Sequence, residues 1–359
     1  MPVNDASRDP QKILVVRLGA MGDVIHALPA VGALRAAFPS AHIGWVIEER
    51  WVELLCAPSA GLAGTLSQQR PLVNSVHPVN TFRWRSNLLS SQTRKEIKEL
   101  KRTLRASQYD ITIDFQGALK SAVIARWSKA SAIYGFESPR EKIARRFYSK
   151  KVPASGAHIV EQNISLAESV ARQKLKALPV LLPQDREAEE KIQKLLRDRN
   201  ISSFVLMNPG AGWGAKKWPP ERYGYIAKRL SAEGLSCLIN CGPKEDKLAQ
   251  RVQQESEGAA LPINYSITEL IALTRRAHLF IGGDTGPMHL AAALGIPVVA
   301  IFGPTDPARN GPFATRNVVL RNAKSTTSYS HYHRADEGLL QISPDETLAA
   351  VHQLLGSGS

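Results

Sequence analysis

The segment that decides the fold is HLFIGGDTGPMHLAAALGIPVVAIF, residues 278–302. It contains a short apolar run, a turn with three glycines, a helical pattern and a second apolar run. Buried parallel strands have this apolar composition, and a helix between two such strands supplies the crossover connection. The segment therefore predicts an α/β protein built on a parallel sheet.

The same alternation of strand, turn and helix occurs in both halves of the chain. A Pro-flanked stretch, LPVLLP at residues 178–183, interrupts it, and we expect the domain boundary there, with domains 1–177 and 178–359. Two α/β domains of similar size would leave a cleft, and ligands in such sheets bind beyond the carboxyl ends of the strands. The predicted strands are residues 12–18, 42–48, 109–115, 204–207, 235–240, 278–281 and 298–302.

The charge of the chain is basic and unevenly distributed. The net charge is +14, and residues 83–151 contain 17 Lys or Arg against 6 Asp or Glu. Such an excess attracts an anionic partner, either nucleic acid or an acidic lipid surface, although RKEIKELKRTLR also reads as an ordinary solvated helix face. No apolar leader or membrane span is expected, so we predict a cytoplasmic protein. The three cysteines suggest neither a disulfide framework nor a zinc site.

The loop after the strand at residues 278–281 is a candidate phosphate site. Its backbone N–H groups, with the positive end of the following helix, would suit a diphosphate, and Thr285 could add a hydroxyl donor. The alternative is a plain strand-to-helix turn capped by Asp284. A lysine near such a site, Lys216 or Lys217, could neutralise charge on a leaving group, or be a surface lysine.

The loop after the first strand reads GAMGD, residues 19–23. Its glycines permit close backbone approach to a ligand, and Asp23 is a candidate catalytic carboxylate. The alternative is an N-cap aspartate. The loop is not the dinucleotide motif GxGxxG, which weakens the interpretation as an NAD-dependent dehydrogenase.

Taken together, these motifs resemble those of the bacterial lipopolysaccharide heptosyltransferases, glycosyltransferase family 9. The resemblance is carried by LGAMGD, YDITIDFQGALKSA, NPGAG with AKKWP, and GGDTGPMHLAAALGIPVVAIFGPTDP. It extends in order over residues 12–312. FRWR at residues 82–85 and SPREKIARRFY at 138–148 are most similar to the heptosyltransferase I branch, which adds the first heptose to Kdo of the inner core.

The resemblance implies a GT-B fold, in which two Rossmann-like α/β/α domains face a central cleft. It also implies an inverting transfer from ADP-heptose without a metal or other cofactor. Asp23 would be the general base, and Lys216 would stabilise the ADP leaving group. Glu245 would bind the ribose, with Asp246 as a near rival. The other donor-binding residues would be Asn208, Gly210, Asp284, Thr285, Gly286 and His289.

The resemblance also supplies an acidic acceptor, Kdo on lipid A, at the inner membrane. We expect no nucleic acid partner, a monomer, and peripheral contact with the cytoplasmic face of that membrane. The acceptor side is where the sequence departs from the family: Gly19 and Ala20 replace small hydroxyl residues, and residues 323–340 match no motif. The candidate acceptor-binding residues are Arg83, Arg85, Lys120, Arg140, Arg145 and Arg146.

Two other hypotheses remain open from the sequence. One keeps the family and changes the acceptor, giving a second-heptose transferase or another family 9 enzyme. The other is a nucleotide- or nucleic-acid-binding protein without transfer activity, which the basic segment favours. The basic segment lacks the interleaved aromatic residues typical of single-strand binders, which weakens the second hypothesis.

Overall fold

Two parallel sheets organise the chain in this computed structural model, which describes residues 9–242, 245–328 and 335–356. The chain divides into two compact units, Met1–Gln184 and Asp185–Ser359. The boundary expected from sequence lies seven residues earlier, inside the same stretch without helix or strand, residues 174–185. The stretch stays with the first unit because its end is tied there: the Gln184 amide donates to the Gln68 carbonyl at 2.9 Å.

The first unit is a six-stranded parallel sheet in the order β3-β2-β1-β4-β5-β6. Strand order reverses between the central strands β1 and β4, as in a Rossmann fold. Leu14, Val16 and Val46 of the central strands are buried from solvent. The elements are β1 (Lys12–Val16), α1 (Met21–Ala37), β2 (His42–Glu48), β3 (Ser75–Val79), α2 (Thr81–Ser86), α3 (Ser91–Ala106), β4 (Ile111–Asp114), α4 (Leu119–Trp127), β5 (Ala132–Phe136), β6 (Lys150–Val152) and α5 (Ile159–Ala171).

The second unit repeats this topology in the order β12-β11-β10-β7-β8-β9, with the reversal between β7 and β10. Its elements are α6 (Arg186–Asp198), β7 (Phe204–Asn208), α7 (Pro220–Ala232), β8 (Ser236–Asn240), α8 (Asp246–Glu255), β9 (Ala260–Ile263), α9 (Ile267–Thr274), β10 (Leu279–Gly283), α10 (Gly286–Ala293), β11 (Val298–Phe302), α11 (Pro307–Asn310), β12 (Asn317–Arg321), α12 (Glu337–Gln341) and α13 (Pro344–Gly356).

The core of the second unit packs helices against one face of its sheet. Val205 and Ile281 of adjacent strands belong to one buried cluster with Ile226 of α7 and Val351 of α13. Cys237 and Cys241 are free thiols in the same cluster, where they pack as small core residues.

The predicted α/β architecture is confirmed, while some element ends differ. The strands at residues 42–48 and 298–302 have the predicted bounds, but the first strand ends at Val16 and the third spans only Ile111–Asp114. Residues 1–8, where we expected no apolar leader, lie outside the described residues, as does 329–334 within the stretch that matched no motif. Across the described ranges, no helix is both long and apolar enough to cross a bilayer.

Candidate active site

The carboxyl end of the second sheet gathers two buried asparagines from adjacent strands. Asn208 ends β7 and Asn240 ends β8. The Asn240 Nδ2 donates to Oδ1 of Asn208 at 2.8 Å, and the Asn208 Nδ2 donates to the Gly210 carbonyl at 2.8 Å. These hydrogen bonds fix the turn after β7 at the reversal of strand order, where open α/β sheets bind ligands.

Asp284 lies one residue beyond β10, at the same reversal, and holds two other predicted residues. Its Oδ2 is 2.5 Å from the Nζ of Lys216, and its Oδ1 is 3.0 Å from the Nε2 of His289 on α10. All three side chains are largely removed from solvent, with exposed fractions of 14% for Lys216, 7% for Asp284 and 6% for His289. The structure therefore brings together three residues that the resemblance assigned to the leaving group and the donor.

The protonation state of Asp284 follows from these contacts. Burial alone would raise the pKa of its carboxyl group. The hydrogen bond and charge of His289, together with the charge of Lys216, outweigh burial and hold that pKa well below its usual range. Asp284 is therefore an anion at neutral pH, and it can keep the Lys216 ammonium in place.

Three contacts hold the Lys216 ammonium in place. Besides the carboxylate, its Nζ lies 3.3 Å from the Asp284 carbonyl oxygen and 4.5 Å from the centre of the Trp213 ring. An ammonium has three N–H donors, so two bonds to Asp284 leave a third for an anionic ligand.

The N-terminus of α10 begins in the same loop. The N-cap is Thr285, so the alternative of Asp284 as the cap is wrong, and the Thr285 side chain makes no capping hydrogen bond. Its hydroxyl instead donates to the Gly283 carbonyl at 3.3 Å. The first turn therefore presents backbone N–H groups, at Gly286 and Met288, and the positive end of the helix dipole to an anion.

The loop after β8 brings a carboxylate to the same edge of the sheet. Glu245 accepts a hydrogen bond from the backbone N–H of Gly242 at 2.8 Å. Its carboxylate lies against Gly210, in the space that a Cβ there would occupy. Asp246, the rival ribose ligand, is exposed in the first turn of α8. The geometry places Glu245, rather than Asp246, beside the turn after β7.

Asp23 lies at the reversal of strand order in the first unit. It occupies the third position of α1, so the N-cap alternative is wrong: Ala20 is the N-cap, and its N–H donates to Oδ2 of Asp23 at 3.1 Å. The Oδ1 pairs with the Nη2 of buried Arg17 at 2.9 Å. The Asp23 side chain is still 37% exposed. Since a carboxylate has about four acceptor positions, it can accept a hydrogen bond from a further donor.

A buried carboxylate organises the loop beside Asp23. Asp114 at the end of β4 accepts hydrogen bonds from the backbone N–H groups of Gln116 and Gly117, at 2.9 and 3.2 Å, and from Tyr148 Oη at 2.7 Å. Burial raises the pKa of Asp114. The Gln116 side chain then accepts from the Leu18 N–H at 2.8 Å, which ties the loop after β4 to the loop that leads into α1 and Asp23.

Three of the six predicted acceptor-binding residues lie within electrostatic reach of one another. Burial lowers the pKa of Lys120, and the charges of Arg85, Arg50 and Arg140 lower it further, against the opposing effect of Glu48. The Lys120 Nζ is 3.9 Å from the Glu48 carboxylate. Lys120, Arg85, Arg140 and Arg50 form what we call the cationic cluster. Arg50 was missed because it lies outside the basic segment.

The other three predicted acceptor residues are placed differently. Arg83 pairs with Glu96 at 2.9 Å and Glu49 at 3.4 Å, and Arg145 pairs with Glu137 at 3.1 Å. Arg146 is exposed. Arg83 and Arg145 are therefore already engaged by carboxylates of the same unit, unlike Arg85 and Arg140, which are exposed beside Lys120.

Sequence reasoning did not assign Arg17, although a signal was present. An arginine within the apolar run KILVVRL is unusual, because charged side chains are almost never buried unless they are paired. Asn240 had no comparable signal, since a polar residue at the end of a strand is common.

Comparisons with known proteins find relatives of one family. The model of glycosyltransferase family 9 (heptosyltransferase) matches residues 97–338. Lipopolysaccharide heptosyltransferase 1 from Pseudomonas aeruginosa is 31% identical over 314 residues, covering 86% of this chain and 83% of the relative. Lipopolysaccharide heptosyltransferase 3 from Escherichia coli K12 is 26% identical over 93% of this chain and 95% of its own length.

A solved structure extends the similarity to the whole fold. Escherichia coli heptosyltransferase WaaC with ADP superimposes with a TM-score of 0.73 at 25% identity, covering 97% of this chain and all of that one. The same enzyme is also known with ADP-2-deoxy-2-fluoro heptose, with a TM-score of 0.71. The expected GT-B fold, with two Rossmann-like units, is confirmed. The chain belongs to glycosyltransferase family 9, the heptosyltransferases, and is a glycosyltransferase.

Proposed function

We propose that the protein is a heptosyltransferase of the lipopolysaccharide core that moves heptose from ADP-heptose to Kdo on lipid A. The observation that carries the proposal is the buried group of Lys216, Asp284 and His289 at the N-terminus of α10. An oriented ammonium beside a helix N-terminus is suited to a diphosphate. Family membership and the ADP-sugar analogue bound by WaaC support ADP-heptose as the donor.

Glu245 and the turn after β7 would hold the nucleoside. A ribose offers two hydroxyl donors, and a carboxylate accepts both. Glu245 lies against Gly210, whose missing side chain lets the backbone and a ligand approach closely. We therefore assign ribose recognition to Glu245.

The reaction is a displacement at the anomeric carbon of heptose. The acceptor hydroxyl oxygen forms the new bond to that carbon as its bond to the β-phosphate oxygen breaks. The electron pair of the broken bond goes to ADP, whose charge Lys216 and the α10 N-terminus stabilise. The hydroxyl proton goes to the Asp23 carboxylate, which Arg17 and the Ala20 N–H hold in one orientation. Attack opposite the departing ADP inverts the anomeric configuration.

No metal is needed in this proposal. In many transferases a divalent cation neutralises the departing diphosphate. Here Lys216, with its third N–H, and the first turn of α10 would supply that positive charge. We propose that transfer proceeds without a metal or other cofactor.

The cationic cluster supports an acidic acceptor. Kdo carries a carboxylate and lipid A carries phosphates. Arg85 and Arg140 each offer a planar guanidinium, which can bind a carboxylate or a phosphate through two parallel N–H donors. The cluster lies at the carboxyl end of the first sheet, where Lys120 near the start of α4 approaches Glu48 at the end of β2. We propose that the enzyme acts as a monomer at the cytoplasmic face of the inner membrane, where it meets this acceptor.

An acceptor panel tests the proposal and separates it from its rival. ADP-heptose is supplied with Kdo-lipid A, with the same acceptor carrying one heptose, or with a core that already carries two, and products are weighed by mass spectrometry. We expect one heptose to be added to the Kdo-only acceptor. Addition only to heptose-bearing acceptors would favour the rival, motivated by the similarity to heptosyltransferase 3. Absence of product with every acceptor would refute both.

A further inference from the structure

The most exposed large apolar side chains of the described residues lie on one short segment of the first unit. Leu89 is 82% exposed, Phe82 78% and Leu88 61%, whereas the next, Leu181, reaches 50%. Phe82 belongs to α2, and the two leucines belong to the turn between α2 and α3. We call residues 82–89 the apolar tip.

Hydrogen bonds to α3 and within the segment hold the backbone of the apolar tip in place. Trp84 is buried, and its Nε1 donates to Glu96 of α3 at 2.8 Å. The Asn87 N–H donates to the Arg83 carbonyl at 3.0 Å, and Ser90 caps α3 by accepting from the Thr93 N–H at 3.0 Å. Because the backbone is tied on both sides of the leucines, their exposure is a property of the fold. Exposed apolar groups of this size mark a contact surface.

Positive charge surrounds the apolar tip. Residues 81–106 contain eight Lys or Arg against two Glu. Arg94 and Lys95 are exposed near the start of α3, the helix that follows the leucines. Within the tip, Arg85 lies between Phe82 and Leu88 in the sequence and belongs to the cationic cluster with Lys120, Arg50 and Arg140. An apolar insertion element with flanking cations has the chemistry of a surface that enters an anionic bilayer interface.

We propose that the apolar tip docks the protein on an anionic membrane, with Phe82, Leu88 and Leu89 entering the headgroup and acyl boundary. The exposed cations Arg94 and Lys95 would contact acidic headgroups. This deepens the proposed function and rests on it in one respect: docking here would bring the neighbouring cationic cluster to an acceptor that is itself a lipid. Membrane binding needs neither donor nor acceptor, so the two proposals fail separately.

Vesicle co-sedimentation of the full chain tests the docking surface. The protein is mixed with vesicles of phosphatidylglycerol and phosphatidylcholine, or of phosphatidylcholine alone, without ADP-heptose or acceptor. The variant is Phe82→Ser/Leu88→Ser/Leu89→Ser. A matched control, Leu62→Ser/Leu66→Ser, removes two apolar side chains that are 46% and 39% exposed elsewhere in the same unit.

We expect the wild type and the control to bind the anionic vesicles and to bind phosphatidylcholine much more weakly. The triple variant should bind the anionic vesicles about tenfold more weakly or worse. Its transfer rate to a short water-soluble Kdo acceptor should stay unchanged, which also shows that it is folded. The single variants Phe82→Ser, Leu88→Ser and Leu89→Ser should each lose a smaller part of the binding to anionic vesicles, which provides a second test.

Several results would overturn the docking proposal. One is a wild-type protein that does not bind anionic vesicles, which is expected if a protein partner covers the tip instead. The others are a triple variant that binds like the wild type, and a Leu62/Leu66 control that loses as much binding as the triple variant. If the triple variant fails to fold, single variants that all bind like the wild type would overturn it as well.

Discussion

The Nζ of Lys216 lies 2.5 Å from Oδ2 of Asp284, and the two side chains are only 14% and 7% exposed. A buried ammonium requires a nearby anion, because an uncompensated charge in a protein interior is costly. Asp284 therefore compensates the charge of Lys216 and holds its ammonium in place, while one N–H of that ammonium stays available to a ligand. The relationship connects the loop after β10 to the residue that we propose stabilises the departing ADP.

Replacing Lys216 by alanine should impair transfer itself. The ammonium would stabilise charge that develops on ADP as its bond to heptose breaks, so Lys216→Ala should lower kcat by about 10²- to 10³-fold. Steady-state ADP release checks this. The matched control is Lys217→Ala, which removes the adjacent exposed lysine and should leave kcat within about twofold. Equal losses in both variants would contradict a specific role for Lys216.

Asp284→Asn should destabilise the second unit in a pH-dependent way. It leaves Lys216 buried without its anion, at a cost of about 3 kcal/mol in the free energy of unfolding at neutral pH. The pKa of Asp284 is lowered in the folded protein from an ordinary value of 3.8, so its stabilising effect is complete above that value. The effect begins to decline as pH falls below 3.8, where Asp284 of the unfolded chain gains a proton, and it is lost as pH falls through the lower pKa of the folded state.

Urea unfolding of wild type and Asp284→Asn at several pH values tests the sign. The difference between them should be constant from about pH 7 to pH 5 and should shrink as pH falls through about 4. A difference that grows on acidification would contradict the assignment of Asp284 as a stabilising anion.

Glu245 and Asp246 should differ in their effect on nucleotide binding. Loss of a hydrogen bond to a charged acceptor costs about 1.5–3 kcal/mol, so Glu245→Ala should weaken ADP binding by about 10- to 100-fold. Asp246 is exposed and should be replaceable by alanine with little change. Titration calorimetry with ADP measures both variants, and a larger loss for Asp246→Ala would reverse the assignment of the ribose ligand.

Asp23→Asn should abolish most transfer while sparing the donor site. A positioned general base contributes about 10²- to 10⁴-fold, and asparagine cannot take the proton. ADP affinity should match the wild type, since Asp23 belongs to the first unit and the proposed nucleotide residues to the second. Turnover at the wild-type rate would exclude Asp23 as the base.

In both sheets, the strands that are apolar on both faces could be predicted from the sequence. The runs at residues 42–48 and 298–302 consist of buried residues, apart from half-buried His42, and have clear ends. β3 and β9 contain Pro78 and Pro262, and β6 is a three-residue edge strand with two exposed lysines. Such strands owe their place to neighbours in the sheet, and a local pattern does not reveal them.

In the candidate site, too, local features could be predicted from the sequence, whereas contacts between separate elements could not. Glycine-rich loops indicated an anion site after β10, because loop composition is local. The pairings of Asp23 with Arg17 and of Lys216 with Asp284 join residues on separate loops or elements, and only the folded chain brings them together. The cationic cluster likewise includes Arg50, which is far in sequence from Arg140.

The measurement that tests the account most directly is the stoichiometry of ADP release and heptosylation. Wild-type protein is incubated with ADP-heptose and Kdo-lipid A in the presence of a chelator, and ADP and product are quantified together. We predict one ADP for each heptose added to Kdo, at a rate that the chelator does not change. Release of ADP without a heptosylated product, or no release at all, would contradict the proposed transfer, and a rate abolished by the chelator would contradict its independence of metal.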